Sequence, residues 1–398
     1  MGIAERVLNK ITANRDLRLE PSLCSRFRTP KSDCSQCVGL CPAGALSVDA
    51  DGPEVSADCS GCGVCYSVCP NDVITLKERG DEQIIGEIAQ AAKGGRRAGT
   101  PEFHISCERG DSRADLLVPC LGRLTEVLLI EPVRSGFSSV TLLRPECSEC
   151  PNAKASLHID RTIERASALL DMLNLKERLA VRSIPLQPLN KRPEKSVSRR
   201  ELFSAFRMRA AEVTAAALPE SCRTTGPIDR TFLEAMGKRA QESKRGLLLR
   251  QLRVFSPGKE VRVSGEQAML ATVAVSSRCN ACGVCATLCP SGALSQRWDD
   301  RQFTLSFRAS LCNNCRVCAQ VCMPKALTIE NTARLNDLLE DKERTVFAAE
   351  KRSCPVCRMN FVRPTDFADV PAGQPDTCPS CRERQDKQMA FIKNELFR

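Results

Sequence analysis

The sequence contains few aromatic residues, few histidines and no long hydrophobic run. Aromatic side chains make up 4% of the 398 residues. The two histidines, His104 and His158, are interpreted as surface or packing residues rather than ligands. No window approaches the roughly 18 uncharged apolar residues that a membrane helix needs. The first twenty residues carry charges throughout and include no apolar segment, so we expect neither a secretory signal nor membrane insertion.

The motifs of several enzyme classes are also missing. The chain has no glycine-rich dinucleotide fingerprint, no P-loop and no Ser/His/Asp arrangement, so we assign no catalytic residue. The formal net charge of +10 would suggest a nucleic-acid partner. However, the six metal sites predicted below would each contribute a charge of about −2, which takes the total to about −2. We therefore expect no nucleic-acid partner.

Cysteine is the residue that the chain has in excess, with 25 copies. A disulfide framework and metal binding compete to explain such a number. Because no secretory signal is expected, we predict a cytoplasmic protein whose cysteines bind metal. The length and the 42% of hydrophobic residues allow two to four domains with globular cores.

Four stretches of the chain repeat one cysteine pattern. "CSGCGVCYSVCPNDVITL" (59–76) and "CNACGVCATLCPSGALSQ" (279–296) match almost position for position. "CSQCVGLCPAGALSV" (34–48) and "CNNCRVCAQVCMPKALTI" (312–329) are two further units. The spacing resembles the C-x2-C-x2-C-x3-C-P run of bacterial-type ferredoxins, in which the fourth cysteine binds the neighbouring 4Fe–4S cluster. The resemblance implies two modules of two clusters each.

This crossing of ligands predicts four 4Fe–4S sites, which we number here. They are site 1 (Cys24, Cys34, Cys37, Cys69), site 2 (Cys41, Cys59, Cys62, Cys65), site 3 (Cys279, Cys282, Cys285, Cys322) and site 4 (Cys289, Cys312, Cys315, Cys318). Met323 separates Cys322 from Pro324, a small departure that leaves the thiolate available. Small residues such as Ala281 and Gly283 allow backbone N–H groups to approach the sulfurs.

The first ligand of site 1 is an open question. Lys31 stands where the run requires a cysteine, and Cys24 lies seven residues upstream. We favour Cys24 as the ligand, with the residues up to Cys34 forming a surface loop. A three-iron cluster and a non-cysteine ligand remain alternatives. We expect this site to differ most from the others in exposure, and thus to be the point where electrons enter or leave.

The middle of the chain has a different cysteine pattern. Cys107, Cys120, Cys147 and Cys150 lie in "HISCERGD", "LLVPCLGRL" and "RPECSECPNAKASLHIDRTIERASALLDML". These segments resemble the small iron–sulfur (delta) subunit of methyl-viologen-reducing hydrogenase and the equivalent domain of some heterodisulfide reductase subunits. The resemblance implies one 2Fe–2S cluster on the four cysteines, here site 5, that exchanges electrons with a flavin or hydrogenase partner. The stretch "LLRPECSECPNA" has less glycine and aromatic character than that family, and a zinc or redox-silent site remains an alternative.

Two pairs of cysteines mark the C-terminal tail. Cys354-x2-Cys357 and Cys378-x2-Cys381 have the spacing of a zinc ribbon with a tetrahedral Zn(Cys)4 site, here site 6. Rubredoxin-type iron uses the same ligands, but its aromatic core is missing between these pairs. Cys222 stands alone and is interpreted as a free thiol.

These observations predict an α+β multidomain chain. Its expected parts are a ferredoxin-like module (1–80), an α/β domain with the 2Fe–2S site (81–185), a basic linker with helices near 200–217 and 229–254 (186–260), a second ferredoxin-like module (261–335) and a zinc-ribbon tail (336–398). The stretches "ALSVDADGPEVS" and "ALSQRWDDRQFTLSF" are predicted hairpins with Asp-rich turns.

The predicted function is single-electron relay between a redox enzyme and an acceptor. Expected partners are a flavoprotein, a hydrogenase, or a formate-dehydrogenase-like or heterodisulfide-reductase-like enzyme. The alternative is an iron–sulfur reductase that acts on a disulfide or small molecule at an open cluster site. Four cysteines at every site argue against such an open position, and only site 1 could provide one.

Overall fold

The computed structural model describes residues 17–95, 101–188, 243–255, 262–264, 271–330, 332–365 and 377–396. These residues form a mixed α/β structure with several small sheets. No helix among them is long and apolar enough to cross a membrane. The helix predicted near 200–217 and the single Cys222 lie outside the described residues.

The first module spans residues 17–76. Its elements are β1 (Leu17–Leu19), α1 (Ser25–Arg28), α2 (Gln36–Gly39), β2 (Leu46–Asp49), β3 (Gly52–Val55), α3 (Val64–Val68) and β4 (Ile74–Leu76). β1 pairs antiparallel with β4, and β2 and β3 form the predicted hairpin. The carboxylate of Asp49 closes the turn by accepting the N–H of Asp51 at 2.9 Å. The small core buries Cys41, Cys65 and Cys69 beside its apolar residues, so any bound metal forms part of the interior.

A parallel sheet forms the middle unit. The elements are α4 (Asp81–Gly95), β5 (Phe103–Cys107), β6 (Leu116–Val118), α5 (Glu126–Ser135), β7 (Val140–Pro145), α6 (Ser156–Met172) and β8 (Leu179–Ile184). The strand order is β6-β5-β7-β8, and all three pairings are parallel. Ile105 and Leu142 in the central strands are completely buried, as expected for a parallel sheet covered by helices.

The second module repeats the first and continues into the tail. The elements are α7 (Lys244–Phe255), β9 (Arg262–Ser264), β10 (Thr272–Val275), α8 (Val284–Thr287), β11 (Leu294–Trp298), β12 (Gln302–Arg308), α9 (Val317–Val321), β13 (Leu327–Glu330), β14 (Thr332–Arg334), α10 (Leu335–Leu339), β15 (Glu343–Ser353), β16 (Asn360–Pro364) and α11 (Pro379–Leu396). β10 pairs with β13, and β11 and β12 form the second predicted hairpin. β12 also pairs with β15, which gives the four-stranded order β11-β12-β15-β16.

Helix α7 connects the middle unit to the second module. Leu247, Leu248 and Leu249 are all buried, although three consecutive helical positions point in different directions. The same core cluster contains Val127 of α5 and Phe303 of β12. The helix predicted near 229–254 as amphipathic is therefore, in its described part, a core helix enclosed on several sides.

Candidate metal centres

The loops that carry the first three cysteines of sites 2, 3 and 4 share one backbone conformation. The residues just before and after each middle cysteine have positive φ: Gly61 (68°) and Gly63 (78°), Ala281 (56°) and Gly283 (70°), Asn314 (53°) and Arg316 (62°). Such turns direct successive N–H groups into a concave nest, as in many iron–sulfur sites. Because side chains such as those of Ala281 and Arg316 rarely adopt this conformation, the loops have the features of anion-binding sites.

A second loop follows the last cysteine of every run. The third residue after it has positive φ in all four runs: Gly44 (63°), Asp72 (53°), Gly292 (67°) and Lys325 (48°). The next N–H reaches back to the sulfur in two of them, from Ala45 to Cys41 and from Ala326 to Cys322, at 3.2 Å each. Since the fourth loop keeps this turn, Met323 does not alter its geometry.

The structure brings the four predicted cysteines of site 1 together. Burial and, after it, the charges of Cys69, Cys34 and Cys24 together raise the pKa of Cys37 to about 12. A neighbouring charge shifts a pKa strongly only when it lies within a short distance. Cys24 is therefore near the other three cysteines despite its unusual spacing.

Cys24 occupies the position that corresponds to the first cysteine of the other runs. Its N–H donates to the carbonyl of Pro21 at 2.8 Å. The first cysteines of sites 2, 3 and 4 make the same bond three residues back, from Cys59 to Ser56 (3.3 Å), from Cys279 to Ser276 (3.1 Å) and from Cys312 to Ala309 (3.2 Å). The longer spacing between Cys24 and Cys34 therefore changes the segment that joins these two cysteines, while the turn before Cys24 is the same as in the other runs.

The inserted residues between Cys24 and Cys34 lie largely at the surface, as predicted, but they are not a simple loop. α1 occupies the first four of them, and Ser25, Thr29 and Ser32 are buried. The side-chain amide of Asn71 donates to the hydroxyl of Ser25 at 2.9 Å. Polar residues that suggested exposure in the sequence are buried here because they find hydrogen-bond partners within the module.

The insertion also contacts the second module. Arg28 donates to the carbonyl of Thr287 at 3.3 Å, Lys31 Nζ lies 2.9 Å from Met323 Sδ, and the amide of Gln320 donates to Asp33 at 2.8 Å. Site 1 therefore faces the second module. Among the cysteines of sites 1 to 4, Cys282 of site 3 is exposed and the others are buried or half-buried. The expectation that site 1 differs most from the others in exposure stays a prediction.

Each module places its two sites side by side. Burial raises the pKa of Cys65 to about 12, and the charges that add to this rise come from its three partners in site 2 and from Cys37 of site 1. In the second module, burial raises the pKa of Cys285 to about 12, and its three partners in site 3 contribute. Burial likewise raises the pKa of Cys318, with contributions from site 4 and from Cys285 of site 3.

Site 5 lies at one edge of the parallel sheet. Cys107 ends β5, Cys120 follows β6, and Cys147 and Cys150 follow β7, so all four lie beyond the carboxyl ends of parallel strands, where such sheets place ligands. Burial raises the pKa of Cys107, and the charges of Cys147 and Cys150 contribute. Two donors also approach these sulfurs, the N–H of Gly122 on Cys120 at 3.4 Å and the Arg109 guanidinium on Cys150 at 3.8 Å.

Site 5 is adjacent to site 2. Burial raises the pKa of Cys120 to about 12, and among the charges that add to it Cys62 of site 2 comes first. The segment after Cys120 packs on α3, where Ser67 donates to the carbonyl of Gly122 at 2.5 Å. Arg123, the next residue, is itself fixed within the middle unit by a buried ion pair with Asp81 of α4 at 3.0 Å. This junction holds the middle unit against the first module.

The two histidines occupy structural positions. His158 is buried, and its Nε2 lies 2.6 Å from the hydroxyl of Ser67. His104 lies 3.6 Å from carboxylate oxygens of Glu102 and Asp115. Both contacts fit the interpretation as packing and surface residues.

The four cysteines of site 6 lie closest together. Their sulfurs are all within 4.8 Å of one another, and among the described residues no other group of three or more potential metal ligands is this compact. Cys357 and Cys378 sulfurs are 3.6 Å apart, and a tetrahedral zinc ion with Zn–S bonds of about 2.3 Å places sulfurs about 3.8 Å apart. Backbone N–H groups of Cys378 and Cys357 hold the pKa of Cys354 well below its usual value, which favours the thiolate that binds metal.

Two residues near the sites were missed by the sequence analysis. Lys244 and Arg245 begin α7, and both are buried. Lys244 donates to the carbonyl of Cys69 at 2.6 Å, while Arg245 donates to the carbonyl of Ala309 at 3.3 Å. The only local signal is a charged pair directly before the apolar run "GLLL", which does not indicate a partner 175 residues away.

Three segments of the chain match known families. Residues 278–326 match a 4Fe-4S dicluster domain, residues 30–79 match the LdpA Fe-S cluster-binding domain, and residues 114–199 match the methyl-viologen-reducing hydrogenase, delta subunit. The first segment contains all cysteines of sites 3 and 4. Cys24 and Cys107 lie outside the matched segments. No solved structure matches the chain.

Two archaeal ferredoxins are similar to a short part of the chain. A ferredoxin of Methanothermococcus thermolithotrophicus is 42% identical over 48 residues, which are 12% of this chain and 80% of the relative. An uncharacterized ferredoxin of Methanocaldococcus jannaschii is 33% identical over 48 residues, 12% of this chain and 77% of the relative. The chain belongs to the ferredoxin family, as a polyferredoxin-like iron–sulfur electron-transfer protein with a domain like the hydrogenase delta subunit.

Proposed function

We propose that sites 1 to 4 each hold a 4Fe–4S cluster, that site 5 holds a 2Fe–2S cluster and that site 6 holds zinc. The observations that support the first four are the convergence of four thiolates at each and the nests beside three of them. Buried thiols with raised pKa values carry a large cost as thiolates unless a cation compensates them. Iron–sulfur clusters supply that compensation and add the capacity to store single electrons.

The proposed activity is the relay of single electrons through this chain. The protein residues hold the sites close together and control their exposure, while substrate chemistry belongs to a partner. The segment that resembles a hydrogenase delta subunit suggests membership of a larger redox complex. Its partner would be a flavoprotein, a hydrogenase, or a formate-dehydrogenase-like or heterodisulfide-reductase-like enzyme.

The order of the sites in space carries this proposal. The charge of Cys62 in site 2 raises the pKa of Cys120 in site 5, and the charge of Cys37 in site 1 raises the pKa of Cys65 in site 2, so these sites are neighbours. In the second module, the charge of Cys285 in site 3 raises the pKa of Cys318 in site 4. Within each of these two series, every site has a neighbour, as a relay requires. A reductase with an open site would instead need a missing ligand, and we propose that Cys24, which lies near Cys37, is the fourth ligand of site 1.

The remaining parts of the proposal concern organisation and location. Residues 1–80 and 261–335 would be the two ferredoxin modules, 81–185 the 2Fe–2S domain, 186–260 the linker and 336–398 the zinc tail. Cysteines kept as metal ligands require a reducing compartment, so we place the protein in the cytoplasm. Exposed Cys282 and the open 810 Å³ groove beside Cys279 make site 3 the favoured point of contact with a redox partner.

Metal analysis of the anaerobically purified chain tests this function. We expect about 18 iron atoms and about one zinc ion per chain. Reduction should produce signals from both cluster types in electron paramagnetic resonance (EPR), and the reduced protein should transfer its electrons to a one-electron acceptor. A deficit of a whole cluster, or clusters that no low-potential reductant reduces, would contradict the proposal.

A further inference from the structure

Lys244 binds the last loop of site 1. Its ammonium group donates to the carbonyl oxygens of Tyr66, Ser67 (3.2 Å) and Cys69 (2.6 Å), and it forms an ion pair with Asp72 at 3.3 Å. Asp72 is the residue with positive φ in the loop after Cys69. Lys244 therefore holds both the end of α3 and the turn that positions one predicted ligand of site 1.

Arg245, the next residue, binds the first turn of site 4. Its guanidinium donates to the carbonyls of Ala309 and Ser310, each at 3.3 Å. The carbonyl of Ala309 also accepts the N–H of Cys312 at 3.2 Å. Arg245 thus fixes the same turn that positions a predicted ligand of site 4. Burial lowers the pKa of Arg245 to about 10, and Cys312 opposes this effect.

Adjacent residues of one helix therefore attach to two different modules. The side chain of Lys244 is 7% exposed, and Arg245 is 4% exposed. Two buried cations are costly unless carbonyls and negative charge surround them. Carbonyl oxygens of both modules and the carboxylate of Asp72 surround them. The contacts of the insertion at residues 28–33 join the same two modules independently.

We propose that Lys244 and Arg245 form a cationic clamp that fixes the two ferredoxin modules with sites 1 and 4 face to face and joins them into one electron path. This inference rests on the proposed function of the sites. The two positive charges favour the reduced, more negative state at both sites.

Charge-removing variants of similar length test the clamp in the full chain. In Lys244→Met and Arg245→Met, we expect the ratio of reduced to oxidised cluster at sites 1 and 4 to fall about tenfold at a fixed potential. Stepwise reduction followed by EPR measures this ratio. Lys244→Arg and Arg245→Lys retain the charge, so the ratio of reduced to oxidised cluster in these variants should stay close to the wild-type value.

Arg250→Met is the matched control. Arg250 lies on the same helix, is exposed and pairs with Glu82 at 3.3 Å. Removing its charge should leave the reduction profile unchanged. A shift in Arg250→Met as large as in the clamp variants would overturn the proposal, because any charge on α7 would then have the same effect.

Hydrogen exchange provides a readout without redox chemistry. We expect faster exchange in the clamp variants in α3, in the loop after Cys69 and at the turn before Cys312, which Lys244 and Arg245 hold, while β5 and β7 remain protected. Full iron content with unchanged exchange and unchanged reduction in the double Met variant would overturn the clamp but leave the proposed function intact. Missing clusters in the wild type would instead contradict the proposed function.

Discussion

The hydroxyl of Ser67 and Nε2 of His158 lie 2.6 Å apart across the junction of the first module and the middle unit. Burial lowers the pKa of His158 to about 4 from 6.5, and the charges of Arg165, Lys244 and Arg161 add to the effect. Between these values the unfolded chain binds the proton and the folded chain does not. The contribution of neutral His158 to the stability of the folded state is therefore fully present above pH 6.5, and it is lost as the pH decreases toward 4.

The titration of His158 predicts a loss of folding stability at low pH, and a substitution of this residue should remove that loss. From pH 6.5 to pH 5 the wild type should lose about 1.5 kcal/mol of stability through His158. His158→Gln keeps a polar side chain without the titration, so its thermal midpoint should fall less between the two pH values. Equal falls in both proteins would show that His158 does not carry this dependence.

Replacing Cys24 tests the first ligand of site 1. In Cys24→Ser we expect the loss of about one to four iron atoms per chain, or a three-iron EPR signal, because a hydroxyl is a poorer ligand for iron than a thiolate. Iron analysis and EPR of anaerobic samples measure both. Cys222→Ser is the control, since Cys222 is predicted to be a free thiol. Iron content and spectra identical to wild type in Cys24→Ser would rule out ligation.

The contact between site 5 and site 2 depends on the small size of Gly122. A Cβ there would lie 2.8 Å from Val64 and 2.9 Å from Ala155. Gly122→Ala should therefore destabilise the protein by about 1–3 kcal/mol and weaken the magnetic interaction between the two sites. Thermal unfolding and EPR measure the two effects.

Gly86 offers a matched control for this substitution. It lies inside α4, and an added Cβ would meet nothing within 4 Å. Gly86→Ala should stabilise the chain by about 0.5–1 kcal/mol, because alanine loses less backbone freedom in a helix. If both alanine variants gave the same midpoint, the packing argument at Gly122 would fail.

The tail should release its metal independently of the clusters. Cys354→Ser is expected to lose about one zinc ion per chain while the iron content stays at the wild-type value. Because β16 and α11 carry or adjoin the ligands, limited proteolysis should cut the tail first. Iron in place of zinc in the purified wild type would favour the rubredoxin-like alternative.

The sequence predicted the features that depend on local spacing. The runs of cysteines and the two hairpins follow from short segments whose conformation is repeated in known ferredoxins, and the grouping of Cys107 with Cys147 and Cys150 was implied by the resemblance to the hydrogenase delta subunit. Cys24 lies near Cys37, and its role as a ligand stays a prediction.

Contacts between distant segments were not predicted. The insertion lies largely at the surface, as expected, but nothing in its sequence indicated that Arg28 and Lys31 contact residues more than 250 positions away. Lys244 looked like part of a basic linker, although its partners are carbonyls in α3 and after it. Such contacts depend on how whole modules pack against each other. The residues next to a side chain in the sequence contain no information about that packing.

The pairing of β12 with β15 gives the tail a mechanical role. The ladder covers seven residue pairs, and β12 runs directly into the Ala309–Leu311 turn that Arg245 holds. A force applied to the tail along β15 would load all the bonds of this ladder together and would reach Cys312 through a single strand. Movement of the tail would therefore strain the surroundings of site 4 without direct contact with them.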